Sequence, residues 1–193
     1  MADALLRSES PTEFFRELVE TAMHNQRVSA NELTSFYVVN LLAGFIRGDA
    51  DRDGGEPLGT RLAHALQTAG LAQRNGLRKV GDQSLFMSGF FADSFTRSLV
   101  DIDYYIHLGA HAYRSLARHG DHTLGDVFDE LSDKFTTFVD VLGEVSERTS
   151  LSSNSDVLRL YEKWLKTGSR RSGDLLVARG IVPIASIGSR SVQ

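Results

Sequence analysis

Apolar residues recur along most of this chain at the three- and four-residue spacing of a helix, and no stretch shows the alternation of a strand. One series follows a 4-3-4-3-4-3 spacing, which predicts a long helix with a heptad seam in the core: Leu124, Phe128, Leu131, Phe135, Phe138, Leu142 and Val145. The run from Phe36 to Ile46 is apolar on every side and predicts a buried central helix. The pattern therefore predicts an all-α, single-domain bundle of about six to eight helices over residues 1–180, with 181–193 as an extended C-terminal tail.

Helix starts are marked by capping residues. Ser10 with Glu13, and Ser29 with Glu32, have the spacing of a capping box. Pro57 can begin a third helix, and Gly70 and Gly76 are candidate interruptions of it. Two further helices are predicted from the same kinds of signal: one from about Asp82 to about Arg97, and the next from a cap at Asp101 to about Arg118.

The segment from Gly81 to Ala117 is unusually rich in aromatic residues. Seven of the seventeen aromatic residues of the chain fall between Phe86 and Tyr113, beside small residues such as Gly89 and Gly109. Such a mixture indicates either helices that approach closely or a ligand held between them. In the second case the pocket would take a metal, haem or an apolar molecule, and its lining would include Phe90, Tyr104, Tyr105, His107 and His111.

Asp103, His107 and His111 lie one helical turn apart, so two imidazoles and one carboxylate could reach a single metal ion. Arg114 and Arg118 continue the same face. The alternative is a polar stripe that faces solvent or a partner. We favour the stripe, because the Glu-x-x-His pairs of di-metal helical bundles are absent from the sequence.

The amino-acid composition excludes several kinds of site and indicates where the protein is located. The chain has no cysteine, which excludes a thiol nucleophile, a thiolate zinc site and a disulfide, and fits a reducing compartment. The first residues lack the pattern of a signal peptide, and the Phe36–Ile46 run is too short to span a bilayer. We therefore expect a cytoplasmic protein without membrane association.

The net charge of −4 is unevenly distributed, since residues 159–193 carry a net +5. Within this basic region, four cations surround Trp164 and form a candidate anion-binding cluster: Lys163, Lys166, Arg170 and Arg171. The acidity of the whole chain argues against a nucleic-acid partner. We expect Trp164 to be anchored in the core, with the cations on a solvated face.

Two motif-like segments lack an essential residue. The loop that begins at Asp49 resembles a calcium loop, but Thr60 stands where a bidentate glutamate is needed. Gly168–Gly173 has the spacing of a phosphate loop, but Asp174 stands where the lysine is needed. Neither segment predicts a binding site, and no motif in the chain identifies a reaction.

Adjacent aromatic residues suggest a contact surface. Phe14–Phe15, Phe90–Phe91 and Tyr104–Tyr105 are neighbours in sequence, and neighbours on a helix point about 100° apart. One core-facing stripe cannot cover both members of each pair, so we expect exposed aromatic surface, which a homodimer would cover. The sequence thus favours a cytosolic binding or regulatory module that acts through protein–protein contacts. The alternative is an enzyme or carrier with a ligand near residues 86–113.

Overall fold

The computed structural model describes residues 10–47, 56–91, 101–119 and 122–149, together with positions 164, 173, 176 and 177. These residues form seven α-helices and no strand, which confirms the all-α prediction. The helices in chain order are α1 (Pro11–Asn25), α2 (Glu32–Arg47), α3 (Leu58–Gln67), α4 (Gly70–Phe90), α5 (Ile102–His119), α6 (His122–Asp133) and α7 (Phe135–Thr149).

Helix α4 lies at the centre of the bundle. It packs against α3, α5 and α7, and every residue from Gln83 to Phe91 is buried. Glycines make this close packing possible. A Cβ atom on Gly81 would collide with the ring of Tyr113, and one on Gly109 of α5 would collide with the ring of Phe135. The small residues of the aromatic segment therefore serve close helix–helix contact.

Helix α2 is buried over most of its apolar run, as its sequence predicts. Val38 and Leu42 in its second half are fully buried, but Leu33 and Phe36 near its start are 53% and 52% exposed. Helix α2 packs against α1 and α6, while α4 takes the place between α3, α5 and α7.

Two of the three capping side chains predicted from the sequence cap a helix in the structure. Ser10 Oγ accepts a hydrogen bond from Glu13 N at 3.3 Å, and Ser10 N donates to Glu13 Oε2 at 3.1 Å, which completes the capping box. Asp101 Oδ1 accepts from Asp103 N at 3.4 Å at the start of α5. The prediction of Ser29 as the cap of α2 is wrong, because Asn31 Oδ1 accepts from Leu33 N at 3.0 Å instead.

The predicted helix start near Asp82 is also wrong. Helix α4 begins at Gly70, whose φ of +63° is a conformation that favours glycine, and it continues through Gly76 and Asp82 as one helix of 21 residues. Its central position compensates for the weak helix preference of its glycines, since tertiary packing overrides propensity. The predicted extension to Arg97 lies outside the described residues.

The heptad seam belongs to the core, but it spans two helices rather than one. The helix is interrupted at Lys134, between α6 and α7. Lys134 Nζ donates to Ser29 O and to Glu130 Oε1, both at 2.7 Å, so this point is tied to the segment before α2. Six of the seven seam residues are buried, and Leu124 at the start is 41% exposed.

Part of the C-terminal region packs on the bundle. Trp164 and Leu176 are both buried, which confirms the prediction that Trp164 is anchored in the core. The predicted tail, 181–193, lies outside the described residues. None of the helices in the described part of the chain has the length and apolar content needed to cross a membrane.

Candidate functional site

The structure gathers three of the predicted ligand residues on the outer side of the bundle. A groove of about 660 Å³ runs along α5 where it meets α3. Its lining consists of Leu62 from α3 and six residues of α5: Tyr104, His107, Leu108, Ala110, His111 and Arg114. We call this feature the α3–α5 groove.

Tyr104 is held in place at one end of the α3–α5 groove. Its hydroxyl oxygen accepts a hydrogen bond from Gly59 N at 3.2 Å, and its ring meets the ring of Tyr105 edge-on with centroids 5.4 Å apart. A Cβ atom on Gly59 would lie 2.9 Å from this hydroxyl, so a larger residue at this position would displace the end of the Tyr104 side chain. As the acceptor of this bond, the hydroxyl keeps its own hydrogen as a donor.

Arg114 lies at the other end of the groove and is held from α6. Its Nε donates to Ser132 Oγ at 3.2 Å, and its Nη2 lies 3.6 Å from Asp133 Oδ1. Both members of the ion pair are exposed, so the pair contributes little stability. The guanidinium is therefore positioned by a neighbour yet open to a further acceptor.

Two of the predicted ligand residues belong to the core and not to this groove. Phe90 is buried and stacks on Phe86 with ring centroids 5.0 Å apart. Tyr105 is buried on the side of α5 that faces the bundle. Because consecutive residues of a helix point in different directions, the pair Tyr104–Tyr105 is divided between the surface and the core.

The predicted metal ligands are exposed on one face of α5. Asp103, His107 and His111 face solvent together with Arg114 and Arg118, as expected for the polar-stripe alternative. Within the residues that the structure describes, no group of three or more His, Cys, Asp or Glu side chains is arranged to hold a metal ion. The metal prediction therefore gains no support from the geometry.

The predicted anion-binding cluster cannot be placed. Lys163, Lys166, Arg170 and Arg171 lie outside the described residues, as do residues 48–55 of the calcium-like loop. The anion-binding cluster and the calcium-like loop therefore remain predictions from the sequence.

A polar cluster that the sequence analysis missed joins three helices. Asp82 Oδ1 on α4 accepts hydrogen bonds from the hydroxyl of Tyr37 on α2 at 2.6 Å and from the hydroxyl of Tyr113 on α5 at 2.8 Å. Both tyrosine rings also contact Phe128 of α6, with centroids 5.3 Å and 5.7 Å away. We call these three residues, Tyr37, Asp82 and Tyr113, the tyrosine–aspartate cluster.

Burial sets the protonation behaviour of the tyrosine–aspartate cluster. Loss of solvation raises the pKa of Asp82 from 3.8 to about 6, although the two hydroxyl donors and the charge of Arg78 act in the opposite direction. The pKa of each tyrosine is raised well above 10, first by burial and then by the negative charge of Asp82.

The hydrogen bonds of the tyrosine–aspartate cluster link α2, α4 and α5 and have a structural role. Both hydroxyls donate to the same carboxylate oxygen, so neither offers its hydrogen to a substrate. A signal for it exists in the sequence: Asp82 is closely followed by the mostly apolar or small residues 84–91, and a carboxyl group buried beside them needs hydrogen-bond partners. The partners stand 45 and 31 positions away, and the sequence does not pair them.

Comparison of the chain with protein-family models, with curated proteins and with solved structures gives no match. The account of function therefore depends on the surface features of the chain itself.

Proposed function

We propose that the protein is a helical binding module that acts through protein–protein contacts, as a homodimer. The observation that carries this proposal is the pair Leu33 and Phe36, which share one exposed face at the start of α2. Residues three apart are neighbours on a helix surface, so the two side chains form one apolar patch. Joined apolar side chains on a surface often mark an interface, and we call this feature the α2 patch.

The α2 patch is flanked by groups that can surround an interface core. Asn40 lies one turn beyond Phe36 and donates to the Phe36 carbonyl at 2.8 Å, and Asn31 and Glu32 lie exposed just before Leu33. A polar rim around an apolar centre is the usual arrangement of an interface. Two-fold symmetry would place the α2 patch of one copy on that of the other.

The adjacent aromatic residues are more buried than the sequence predicts, so they give less support to the proposed homodimer. Phe90 and Phe91 are both buried, because every residue from Gln83 to Phe91 is buried at the end of α4, and Phe15 is buried beside a partly buried Phe14. The exposed rings in the described residues are Phe36 and Tyr104. The contact surface is therefore proposed at α2 and not at the paired phenylalanines.

A cytoplasmic location belongs to the same proposal. The absence of cysteine fits a compartment that keeps thiols reduced. Expression of a fluorescent fusion, followed by fractionation of the cells, would test this part independently of the dimer.

The test of the homodimer is a double substitution of the α2 patch. Leu33→Gln with Phe36→Gln removes the apolar surface while keeping good helix formers at exposed positions. Sedimentation velocity should show a dimer for the wild type and a monomer for the double variant. Leu71→Gln, which alters an exposed leucine at the start of α4, is the matched control and should remain dimeric. A double variant that sediments as the wild type does would contradict the proposal.

The second proposal is an enzyme or carrier that holds a metal, haem or an apolar ligand near residues 86–113. The α3–α5 groove favours it, because Tyr104, His107 and His111 line a space of about 660 Å³. Between α4 and α5 there is no room at Gly81 or Gly109, where aromatic rings fill the contact. An absorbance scan and a metal analysis of the purified protein test it: a haem band or a stoichiometric metal supports it, and the lack of both counts against it.

A further inference from the structure

The tyrosine–aspartate cluster holds an ionisable group that two neighbouring helices reach with neutral groups. The hydroxyls of Tyr37 on α2 and Tyr113 on α5 both donate to Asp82 Oδ1, at 2.6 Å and 2.8 Å. Phe128 of α6 packs against both tyrosine rings and brings no charge. Arg78 lies one turn earlier on α4 and is exposed, and its charge acts on the carboxyl without an ion pair among the described residues.

A carboxyl group in such a place favours its neutral form. Removal from water disfavours the charge, and neutral hydroxyl donors compensate for only part of that cost. Burial accordingly raises the pKa of Asp82 to about 6, although the two hydroxyls and Arg78 act to lower it. Burial also raises the pKa of each tyrosine well above 10, so both hydroxyls keep their protons. Asp82 is therefore the member of the cluster that titrates near neutral pH.

The cluster is part of what holds α2 to the central helix. Helix α2 packs mainly against α1 and α6. Its contacts with α4 include the hydrogen bond from Tyr37 to Asp82 and, about two turns further along α2, the stack of Phe45 on Phe86 with ring centroids 4.2 Å apart. The first half of α2 is thus linked to α4 through a group whose charge depends on pH.

We propose that the tyrosine–aspartate cluster is a pH-operated latch on the first half of α2. The latch is closed while Asp82 is neutral. When α2 moves away from α4, the carboxyl meets water and releases its proton. Because the open form binds the proton more weakly, a rise in pH shifts the equilibrium toward it. Phe36 directly precedes Tyr37, so the α2 patch moves with the latch. This goes beyond the proposed homodimer, because the latch works within one chain.

Other groups around the first half of α2 do not reproduce this behaviour. On α6, Glu130 accepts hydrogen bonds from Asn31 N at 3.0 Å and from Lys134 Nζ at 2.7 Å. Partial burial acts to raise the pKa of Glu130, but these bonds outweigh it and lower the pKa from 4.5, so the group stays ionised around neutral pH. On α1, the uncharged Met23 accepts through its sulfur from Ser35 Oγ at 3.7 Å.

Hydrogen exchange followed by mass spectrometry tests the latch. The exchange of α2 amides is measured on the full chain from about pH 5 to 7.5 and corrected for the intrinsic pH dependence of amide exchange, which gives the opening equilibrium constant. With a pKa for Asp82 of 3.8 when open and about 6 when closed, this constant should rise roughly tenfold over the range.

Two variants isolate the contribution of Asp82 to this rise. Asp82→Asn should not show the rise, and Asp126→Asn, at an exposed position of α6, should behave as the wild type does. The same pH dependence in the wild type and in Asp82→Asn would overturn the proposal.

Comparison of two helices shows whether the opening is local. Val141 and Leu142 of α7 are fully buried, so the amides of α7 should be better protected than those of α2 at every pH. Equal protection of α2 and α7 would mean that both exchange through unfolding of the whole chain, and would overturn the latch.

Variants of α2 itself complete the test. Tyr37→Phe keeps the ring beside Phe128 and removes the donor, so it should raise the opening constant of α2 at about pH 5 by roughly tenfold. An unchanged constant would show that α2 is held elsewhere, and the proposal would fail. Leu33→Gln with Phe36→Gln should keep the pH dependence of the wild type, whether or not the wild type is a dimer. Failure of the homodimer and failure of the latch are therefore seen separately, and loss of the pH dependence in this double variant would contradict a latch within one chain.

Discussion

Replacement of Asp82 by asparagine should change how the stability of the protein depends on pH. The substitution keeps an oxygen that accepts from the Tyr37 and Tyr113 hydroxyls, and it removes a carboxyl group that titrates in a buried setting. The two proteins should therefore have the same fold and differ in one ionisation. Asp126→Asn, which alters an exposed aspartate of α6, is the matched control.

The size and sign of the change in the free energy of unfolding with pH follow from the raised pKa of Asp82. A rise in the pKa of Asp82 from 3.8 to about 6 corresponds to roughly 3 kcal/mol, at 1.36 kcal/mol for each unit. Between these values the folded protein holds a proton that the unfolded chain has released. The stabilisation from this group is therefore fully present below pH 3.8 and is lost as the pH rises through 6, with a slope of about −1.4 kcal/mol per pH unit.

Urea unfolding from about pH 4.5 to 7.5, followed by the fluorescence of the buried Trp164, measures this contribution. The free energy of unfolding of the wild type, minus that of Asp82→Asn, should fall as the pH rises and become constant above about pH 7. Asp126→Asn should give a difference that does not vary over the range. A constant difference for Asp82→Asn would show that its carboxyl group ionises as it does in water, and would refute the reasoning.

Three further substitutions test the packing and the surface. Phe135→Ala should lower the free energy of unfolding in urea by about 3–5 kcal/mol, and a loss below about 1 kcal/mol would place the seam outside the core. Gly109→Ala should lower it by about 1–2 kcal/mol, because crowding against Phe135 outweighs the better helix preference of alanine, and a more stable variant would contradict this contact. His107→Ala with His111→Ala should leave the thermal midpoint nearly unchanged, since both side chains are exposed, and an insoluble protein would make them structural.

Local signals in the sequence predict the fold class and several helix boundaries. The capping box at Ser10 and the cap at Asp101 are formed by residues three or fewer positions apart, so the sequence contains the whole interaction. The seam through Phe135 and Leu142 is predicted for a related reason, because burial of one helix face requires only that its apolar residues recur with the helical period.

Local sequence signals do not predict features that depend on which helices pack against each other. The apolar sequence of α2 and the glycine-containing sequence of α4 suggest that α2 is central, but the glycines of α4 allow α5 and α7 to approach it closely. The cluster at Asp82 depends on two tyrosines of other helices. For the candidate site, the sequence predicts that Tyr104, His107 and His111 share a face, while the contributions of Leu62 and Ser132 arise from the packing of α5 on α3 and α6.

The central claim, association through the α2 patch, is tested most directly by the mass of the protein in solution. Light scattering coupled to size exclusion should give twice the chain mass of 21.3 kDa at micromolar concentration. It should give the mass of a single chain when both Leu33 and Phe36 are replaced by glutamine. A wild-type protein that has the mass of one chain over the whole micromolar range would contradict the claim.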